Sequence, residues 1–326
     1  MKNYKLWVFI YIVFLVIYIL NLFSSSRLQK IDFCTLCFND EIELKLLKLQ
    51  AISFRYVDYK IINNVIIFYN DNGIDKINYI IKFYPIEIRH KVKIIYRDNF
   101  IKLNKSNWRN QQLLKLLLCK IVSTKHYIVL DSKNHFIRNV YYHNFFKDNK
   151  PILYLSHPGS MIKYYKNCLK YFNIKCPFNY DTNKFWENRK LITTTPFVFI
   201  TNEVRNLIKY IEKREKKLFS KFFLNNYNIT EFYFYSTYLI FTKKIKKCSF
   251  MNDIKVCIYN NPNAWWNTYN RKKHVVTEQN WKIFGLHRGA IRRMDNNYKR
   301  NLITLYKNFF DNNTVMFIKN DLLNLY

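Results

Sequence analysis

Residues 127–135 read Tyr-Ile-Val-Leu-Asp-Ser-Lys-Asn-His, an apolar run that stops abruptly at Asp131 and continues into small and polar side chains. Such a run, bounded by a turn-forming residue, predicts a buried strand that ends at Asp131. In open α/β sheets ligands bind at the carboxyl ends of the strands, where an aspartate can hold a ribose or a phosphate-bound metal. Asp also favours turns without any ligand, so this stretch alone leaves both interpretations open.

The first half of the chain alternates short apolar strands with helical segments. Strands are predicted over 31–38, 64–69, 92–96 and 126–130. Helices are predicted from after Asp40 to Leu49, over 74–83 and over 108–122. This βαβαβαβ order is typical of a parallel sheet covered by helices with right-handed crossovers. It brings Asn39, Asp71 and Asp131 to one edge of the sheet, where a ligand of nucleotide size could bind.

The second half is less regular. Strands or apolar stretches are predicted over 152–155, 195–200, 255–259, 283–287 and 315–318. Helices are predicted over 160–172, 203–219 and 231–241, and from after 287 to 310. Because no Gly/Ser linker separates the halves, residues 31–326 are predicted to be one domain, with a nucleotide-binding half (31–140) and an acceptor-side half (141–326). No Gly-x-Gly-x-x-Gly or P-loop motif occurs, which disfavours a dinucleotide dehydrogenase and a P-loop NTPase.

The N-terminus contains an uncharged apolar segment, residues 6–23, with Asn21 as its one strongly polar residue. Its 18 residues can span a bilayer. We therefore expect a tail (1–5), a transmembrane anchor (6–23) and a short stem (24–30), with a cleaved signal peptide as the rival because three serines follow the apolar run. The flanking positive charges are balanced and leave orientation open. A type II signal-anchor is favoured, in the Golgi or ER if the source is eukaryotic.

The chain carries a formal net charge of +32, from 54 Lys and Arg against 22 Asp and Glu. Such an excess suggests nucleic acid or an anionic membrane as a partner. The lysines are, however, spread along the whole chain, and dense runs such as residues 209–217 alternate in sign, as a solvated helix face does. No specific nucleic-acid partner is expected.

Seven cysteines do not form a dense disulfide framework in 326 residues. Cys34 and Cys37 have the spacing of a zinc or redox pair, but they lie in a predicted strand, where they point to opposite faces. Core packing is therefore favoured over a metal site for this pair.

Four segments resemble, in the same order, a sparsely characterised family of nucleotide-sugar glycosyltransferases with a GT-A-like fold. They are WRNQQLLKL at 108–116, YIVLDSKN at 127–134, TEFYFY at 230–235 and FGLHR at 284–288. The likeness covers roughly residues 31–310. It implies an α/β, GT-A-like fold with a mainly parallel Rossmann-type sheet and helices on both faces. It also implies hexosyltransferase-like transfer of a sugar from a nucleotide-diphosphate donor to a glycan or glycoconjugate acceptor.

The resemblance matches Asp131 to the first acid of a D-x-D element that holds the donor, and a divalent cation (Mn2+ or Mg2+) on carboxylates suits a diphosphate. Lys133 stands where the second acid is expected. Lys133 could neutralise the diphosphate itself, or His135 or His287 could complete a metal site with Asp131. Lys133 could also point away and leave the donor to Asp131 and Asn134. We favour a weakly metal-assisted site, with Asp131 and His287 as the metal ligands.

The resemblance also suggests a general base, Glu231, for an inverting transfer. Inverting transfer needs a carboxylate that takes the proton of the acceptor hydroxyl, and Glu231 follows the apparent helix cap Thr230. An acid in a first helical turn also stabilises the helix dipole without any catalytic role, so both interpretations are kept.

Further donor-binding candidates lie in the first and last resembling segments. Arg288 can fork onto phosphate oxygens. Gln111 and Gln112 precede the Asp131 strand, and Gln111 and Lys115 share a helix face that can reach the rim of the site. The main rival function is a non-enzymatic, membrane-anchored basic protein that binds an anionic polymer.

Overall fold

The computed structural model describes residues 11–15, 29–70, 77–103, 108–156, 161–174, 190–191, 195–251, 256–259 and 281–325. The chain divides into two units, residues 1–30 and 31–326. In the first unit residues 11–15 are helical with exposed side chains, and the rest of the predicted 6–23 anchor lies outside the described residues. Within the described ranges no helix is both long and apolar enough to cross a bilayer. The membrane anchor therefore stays a prediction.

The described part of the second unit alternates strands and helices. The strands are β1 Ile31–Cys37, β2 Ile62–Tyr69, β3 Val92–Tyr96, β4 His126–Asp131, β5 Asn134–Phe136, β6 Phe146–Lys147, β7 Lys150–Ser156, β8 Lys190–Leu191, β9 Phe197–Ile200, β10 Ser249–Met251, β11 Val256–Tyr259 and β12 Ile283–Leu286. The α-helices are α1 Glu41–Ser53, α2 Arg97–Phe100, α3 Trp108–Leu117, α4 Ile162–Tyr171, α5 Thr201–Glu215, α6 Phe219–Asn225, α7 Glu231–Phe241, α8 Arg288–Ile291, α9 Asn296–Tyr306 and α10 Asn312–Phe317.

A five-stranded sheet with the order β3-β2-β1-β4-β9 forms the centre of this unit. The four strands predicted in the first half are parallel to one another, and β9 joins β4 in the antiparallel direction. This confirms a mixed α/β fold with a mostly parallel central sheet. The register pairs Leu36 with Asp131 and Cys37 with Tyr69, so the carboxyl ends of β1, β2 and β4 share one edge.

Two smaller sheets accompany the central one. In the first, β7 lies between β6 and β10 and also pairs with β8. In the second, β12 lies between β11 and β5, and β5 follows β4 after a two-residue turn. Because β5 pairs with β12, the second sheet brings the residues after β12 close to the end of β4.

Both faces of the central sheet are buried under helices. Cys34 and Leu36 belong to the apolar cluster that also contains the leucines of α3 and the aromatic side chains of α7. Phe33 and Cys37 belong to the cluster on the opposite face, with Leu47 of α1. Cys34 and Cys37 are buried free thiols on opposite faces, which confirms the prediction that they pack in the core.

Helix α1 begins where the sequence predicts. The carboxylate of Asp40 accepts hydrogen bonds from the backbone N–H groups of Ile42 (3.1 Å) and Glu43 (3.2 Å), as an N-cap does. Since β1 ends only three residues before Asp40, this cap holds the first turn of α1, and Glu43 with it, at the carboxyl edge of the sheet.

The helix predicted over 74–83 is wrong for the part that the structure describes. Residues Asn78–Phe83 and Ile86–Lys91 form two 3-10 helices instead. Tyr84 between them is extended (φ −69°, ψ 149°), because the residue before a proline, here Pro85, is driven away from helical angles. Asp71 and residues 74–76 lie outside the described residues.

The helix predicted to run from after 287 to 310 is also wrong as one element, because it is divided into α8 and α9. The carboxylate of Asp295 caps the second piece by accepting from the backbone N–H of Tyr298 at 2.7 Å. A cap of this kind starts a new helix and so ends the previous one. Residues 315–318, predicted as an apolar piece, belong to α10 and to the π-helical turn Ile318–Leu322 that follows it.

A buried arginine, Arg109, joins α3 to α6 and to the loop that leads from α6 into α7. Its guanidinium donates to the Gln112 side chain at 2.8 Å and to the backbone carbonyls of Phe223, Asn226 and Ile229. Burial lowers the pKa of Arg109 to about 10, with Glu231 opposing the shift, so the group stays charged at neutral pH. Arg109 thereby fixes the position of α3 relative to the start of α7.

We expect Arg109→Met to lower the free energy of unfolding by about 3 kcal/mol, because the substitution leaves buried carbonyls without donors. Urea denaturation followed by circular dichroism measures the change. The matched control is Arg55→Met, which removes an exposed ion pair with Asp311 and should cost less than about 1 kcal/mol. Equal losses in the two variants would contradict the role given to Arg109.

Candidate functional site

A cavity of about 230 Å³ lies at the carboxyl ends of β1 and β4. Its wall combines the end of β1, the first turn of α1, one face of α3, the turn after β4 and the start of α8. The lining residues are Leu36, Phe38, Glu43, Trp108, Gln111, Lys115, Asp131, Ser132, Lys133, His287 and Arg288. The cavity therefore lies where ligands bind in open α/β sheets.

The carboxylate of Asp131 is held between two lysines. The Nζ atom of Lys115 lies 3.0 Å from Oδ1, and the Nζ atom of Lys133 lies 2.8 Å from Oδ2. The hydroxyl of Thr195 also donates to Oδ2 at 3.0 Å. Burial alone would raise the pKa of Asp131, but the two ammonium groups outweigh it and hold the pKa well below its usual value. Asp131 is therefore ionised throughout the physiological pH range.

Lys115 is a buried cation shared by two carboxylates. It is 7% exposed, and its Nζ atom lies 3.0 Å from Asp131 and 3.3 Å from Oε1 of Glu231. Burial would lower the pKa of Lys115, but Asp131 and Glu231 outweigh burial and raise it. A buried charge of this kind is tolerated only when it is paired, so α3, β4 and α7 are tied together at this point.

Glu231, the predicted general base, lies behind Lys115. It is the first residue of α7, 4% exposed, and it is not among the residues that line the cavity. Burial raises the pKa of Glu231, although Lys115 opposes the shift. The carboxylate thus reaches the cavity only through Lys115, and its role as a base stays a prediction.

The turn after β4 is held by amide side chains. Oδ1 of Asn134 accepts the backbone N–H of Asp131 at 2.9 Å. Gln50 of α1 donates to the carbonyls of Asp131 (2.8 Å) and Asn134 (2.7 Å), and its own oxygen accepts from the Thr35 hydroxyl at 2.7 Å. Asn134, predicted as a donor-binding residue, is therefore engaged in shaping the turn that presents Asp131 and Lys133.

Gln112, also predicted to bind the donor, does not line the cavity. Its side chain is buried and accepts the hydrogen bond from Arg109 described above. Gln111, one position earlier, lines the cavity. The two amides thus point to different neighbours, as adjacent positions on a helix do.

Arg288 reaches the cavity from the start of α8. Its guanidinium lies 3.3 Å from Oδ2 of Asp40 and 3.7 Å from Oε1 of Glu43, and it covers the ring of Phe38 at 4.4 Å. The hydroxyl of Ser132 donates to Glu43. Burial raises the pKa of Glu43, while Ser132 and Arg288 partly offset the shift. These contacts hold Arg288 in the wall of the cavity that Lys133 also lines.

His287 is neutral and accepts a hydrogen bond in this arrangement. Burial, with help from Lys133 and Arg288, lowers its pKa to about 4. Its Nδ1 atom accepts the backbone N–H of Gly289 at 3.1 Å. A neutral imidazole that accepts at Nδ1 carries its proton on Nε2, so it has no free lone pair for a metal ion.

The groups predicted to hold a metal therefore do not fit a divalent cation. Both oxygens of Asp131 face ammonium groups, and His287 accepts a hydrogen bond at Nδ1 and carries its proton at Nε2. His135, the other histidine considered, is fully buried and its Nε2 atom lies 2.8 Å from the Tyr306 hydroxyl, away from the cavity lining. Among the residues that the structure describes, no three His, Cys, Asp or Glu side chains are grouped to hold a metal ion.

Most of the site residues predicted from the sequence lie together in the wall of the cavity. The roles predicted for them stay predictions. Gln111, Asp131, Lys133, His287 and Arg288 line the cavity.

Sequence reasoning missed several other residues of the wall. Leu36, Phe38, Glu43, Ser132 and Trp108 were not proposed as site residues, and Trp108 is 54% exposed. The signal that could have found Glu43 is its place in the first turn of the helix after β1, beside the strand edge that carries Asp131.

Several solved structures are similar to this chain in overall fold. The apo structure of WbbM, a bifunctional glycosyltransferase, matches 86% of this chain with a TM-score of 0.49 and 10% identity, and the chain spans 52% of that protein's length. Mouse xyloside xylosyltransferase 1 (80% of this chain and 99% of that chain, TM-score 0.43, 9% identity) is also similar. So is the galactosyltransferase LgtC in complex with donor and acceptor sugar analogs (86% and 97%, TM-score 0.46, 8% identity).

At these TM-scores and identities, the likenesses do not define what this chain does, and we base its function on the geometry of the cavity. No curated protein matches the sequence. A family model described as "Family of unknown function (DUF6492)" matches residues 25–282, which is most of the chain. The chain therefore belongs to this family, DUF6492.

Proposed function

We propose that the chain is a glycosyltransferase that moves a sugar from a nucleotide-diphosphate donor to a glycan or glycoconjugate acceptor. The observation that carries the proposal is the cavity at the ends of β1 and β4, where Lys115 and Lys133 pair with Asp131 and Arg288 lines the same cavity. The order of the four sequence segments that resemble nucleotide-sugar glycosyltransferases supports the same activity.

The charges of the cavity suit an anionic leaving group. Three cationic side chains (Lys115, Lys133 and Arg288) and two carboxylates (Asp131 and Glu43) line it, while Glu231 and Asp40 pair with Lys115 and Arg288 from outside the lining. A guanidinium and an ammonium group can each donate to phosphate oxygens, and charge-assisted hydrogen bonds of this kind are about twice as strong as neutral ones. The same donors would stabilise the negative charge that grows on the diphosphate as the sugar leaves.

In sugar transfer the anomeric carbon gains one bond to oxygen and loses another. The oxygen of an acceptor hydroxyl bonds to the anomeric carbon, the bond from that carbon to the diphosphate oxygen breaks, and the hydroxyl proton passes to a base. In the proposed reaction Lys133 and Arg288 bind the departing diphosphate, and His287 donates from Nε2 within the same cavity. The inverting outcome predicted from the sequence would need a carboxylate as the base.

The contacts of Glu231 favour a role in positioning Lys115 over a role as the general base. Its carboxylate holds Lys115 against Asp131 and does not line the cavity. Residues 6–23 would anchor the enzyme to a membrane, as the sequence predicts.

The experiment that tests the proposal is a screen of nucleotide sugars with the full chain purified in detergent, following release of the nucleoside diphosphate. We expect at least one donor to be consumed. Consumption of none would remove the main support for sugar transfer. If the chain instead bound polyanions in a salt-sensitive way that does not need Asp131, a non-enzymatic polymer-binding function would replace the proposal.

Asp131→Asn should weaken binding of the identified donor about tenfold, because Lys133 loses the charge that orients it. Isothermal titration calorimetry measures the affinity. Asp148→Asn is the matched control, since Asp148 is exposed in a turn with φ of 52°, a conformation that Asn tolerates well. Unchanged donor affinity in Asp131→Asn would contradict this role.

Glu231→Gln separates the two roles considered for Glu231. If Glu231 positions Lys115, we expect donor affinity to fall about tenfold together with turnover. A general base instead predicts a loss in kcat of about 100-fold or more with donor affinity retained. Steady-state kinetics and donor titration of this variant, with the exposed Glu87→Gln as the control, distinguish the two results.

A further inference from the structure

We propose that Lys133 and Arg288 provide the positive charge that a donor diphosphate needs, while Lys115 neutralises Asp131, so that the donor binds without a divalent cation. This inference rests on the proposed function and specifies how the same cavity recognises its ligand. A diphosphate brought into a partly buried site needs neutralising charge, which a metal ion or fixed cationic side chains can supply.

The first support is that the oxygens of Asp131 are already occupied. Lys115 lies on one oxygen, and Lys133 and the Thr195 hydroxyl lie on the other. A cation on Asp131 would lie beside two ammonium groups, and both would repel it. Lys115 is buried and shared with Glu231, so it would remain beside the cation.

The second support is the balance of charge in the turn after β4. A carboxylate at position 133 would carry a charge of −1, whereas the lysine found there carries +1. The difference is two units, which equals the charge of one divalent cation. A lysine at this position therefore gives the turn the same net charge as a second acid with a bound cation, without the ion.

The third support is the number of donors left for a ligand. An ammonium group has three N–H donors. Lys133 directs one of these donors to Asp131. Because Lys133 also lines the cavity, its other two donors can bind phosphate oxygens. Arg288 lines the same cavity with its guanidinium, so both groups are available to donate to a diphosphate bound there.

The experiment compares nucleotide binding with and without metal. UDP, GDP, ADP and dTDP are titrated into the full chain, first in excess EDTA and then with Mn2+. We expect at least one of these nucleotides to bind, with an affinity in EDTA that agrees with its affinity in Mn2+ within about threefold. Binding that requires Mn2+ would overturn the inference while leaving the proposed function intact. If no nucleotide binds in either condition, the proposed function itself fails.

A charge-reversal variant makes the test sharper. Lys133→Asp should lose about 100-fold in affinity in EDTA and regain much of it in Mn2+, because the substitution creates the pair of carboxylates that a cation needs. Lys120→Asp, an exposed position in the 3-10 helix after α3, is the matched control and should bind as the unmodified chain does. If Lys133→Asp binds like the control in EDTA, the inference is wrong.

A second variant covers the case in which Lys133→Asp does not fold. Lys133→Met keeps the apolar part of the side chain and should lose about tenfold in affinity equally in EDTA and in Mn2+. An affinity equal to that of the unmodified chain in both conditions would overturn the inference. Thermal denaturation of each variant shows that the change in binding is not caused by unfolding.

Discussion

The buried ammonium group of Lys115, which lies between Asp131 and Glu231, is the interaction on which the rest of the site depends. A charge removed from water is stable only when its partners are held in place, so the elements that carry these residues must meet in one geometry. Arg109 contributes to this by binding the loop before α7 to α3. The fold and the site are thus linked through two buried cations on one helix.

Local patterns in the sequence were enough to predict the part of the fold that creates the site. The apolar runs of β1 and β4, the capping residue Asp40 and the buried leucines of α3 are all visible within a few neighbouring residues. The rule that crossovers are right-handed then places the strand ends on one edge. The end predicted at residue 83 agrees with Pro85, since the residue before a proline leaves helical angles, but no local pattern distinguished the 3-10 helix Asn78–Phe83 from an α-helix.

The sequence could not predict the contacts that join distant segments. Lys115 was expected near the rim, but its pairing with Glu231 depends on how α3 and α7 pack, which no local pattern encodes. Glu43 appeared as an ordinary acid in a first helical turn. Asn134 and Gln112 were expected to bind a ligand, whereas they support the turn and Arg109, because an amide can hydrogen-bond to backbone and side chains equally well.

The most direct measurement of the central claim is a crystal structure of the full chain with a nucleoside diphosphate, grown in EDTA. The account predicts phosphate oxygens within hydrogen-bond distance of Lys133 Nζ and the Arg288 guanidinium, with Lys115 still between Asp131 and Glu231. A diphosphate bound elsewhere on the chain would contradict it. So would crystals that take up the nucleotide only with Mn2+ and show that ion on Asp131.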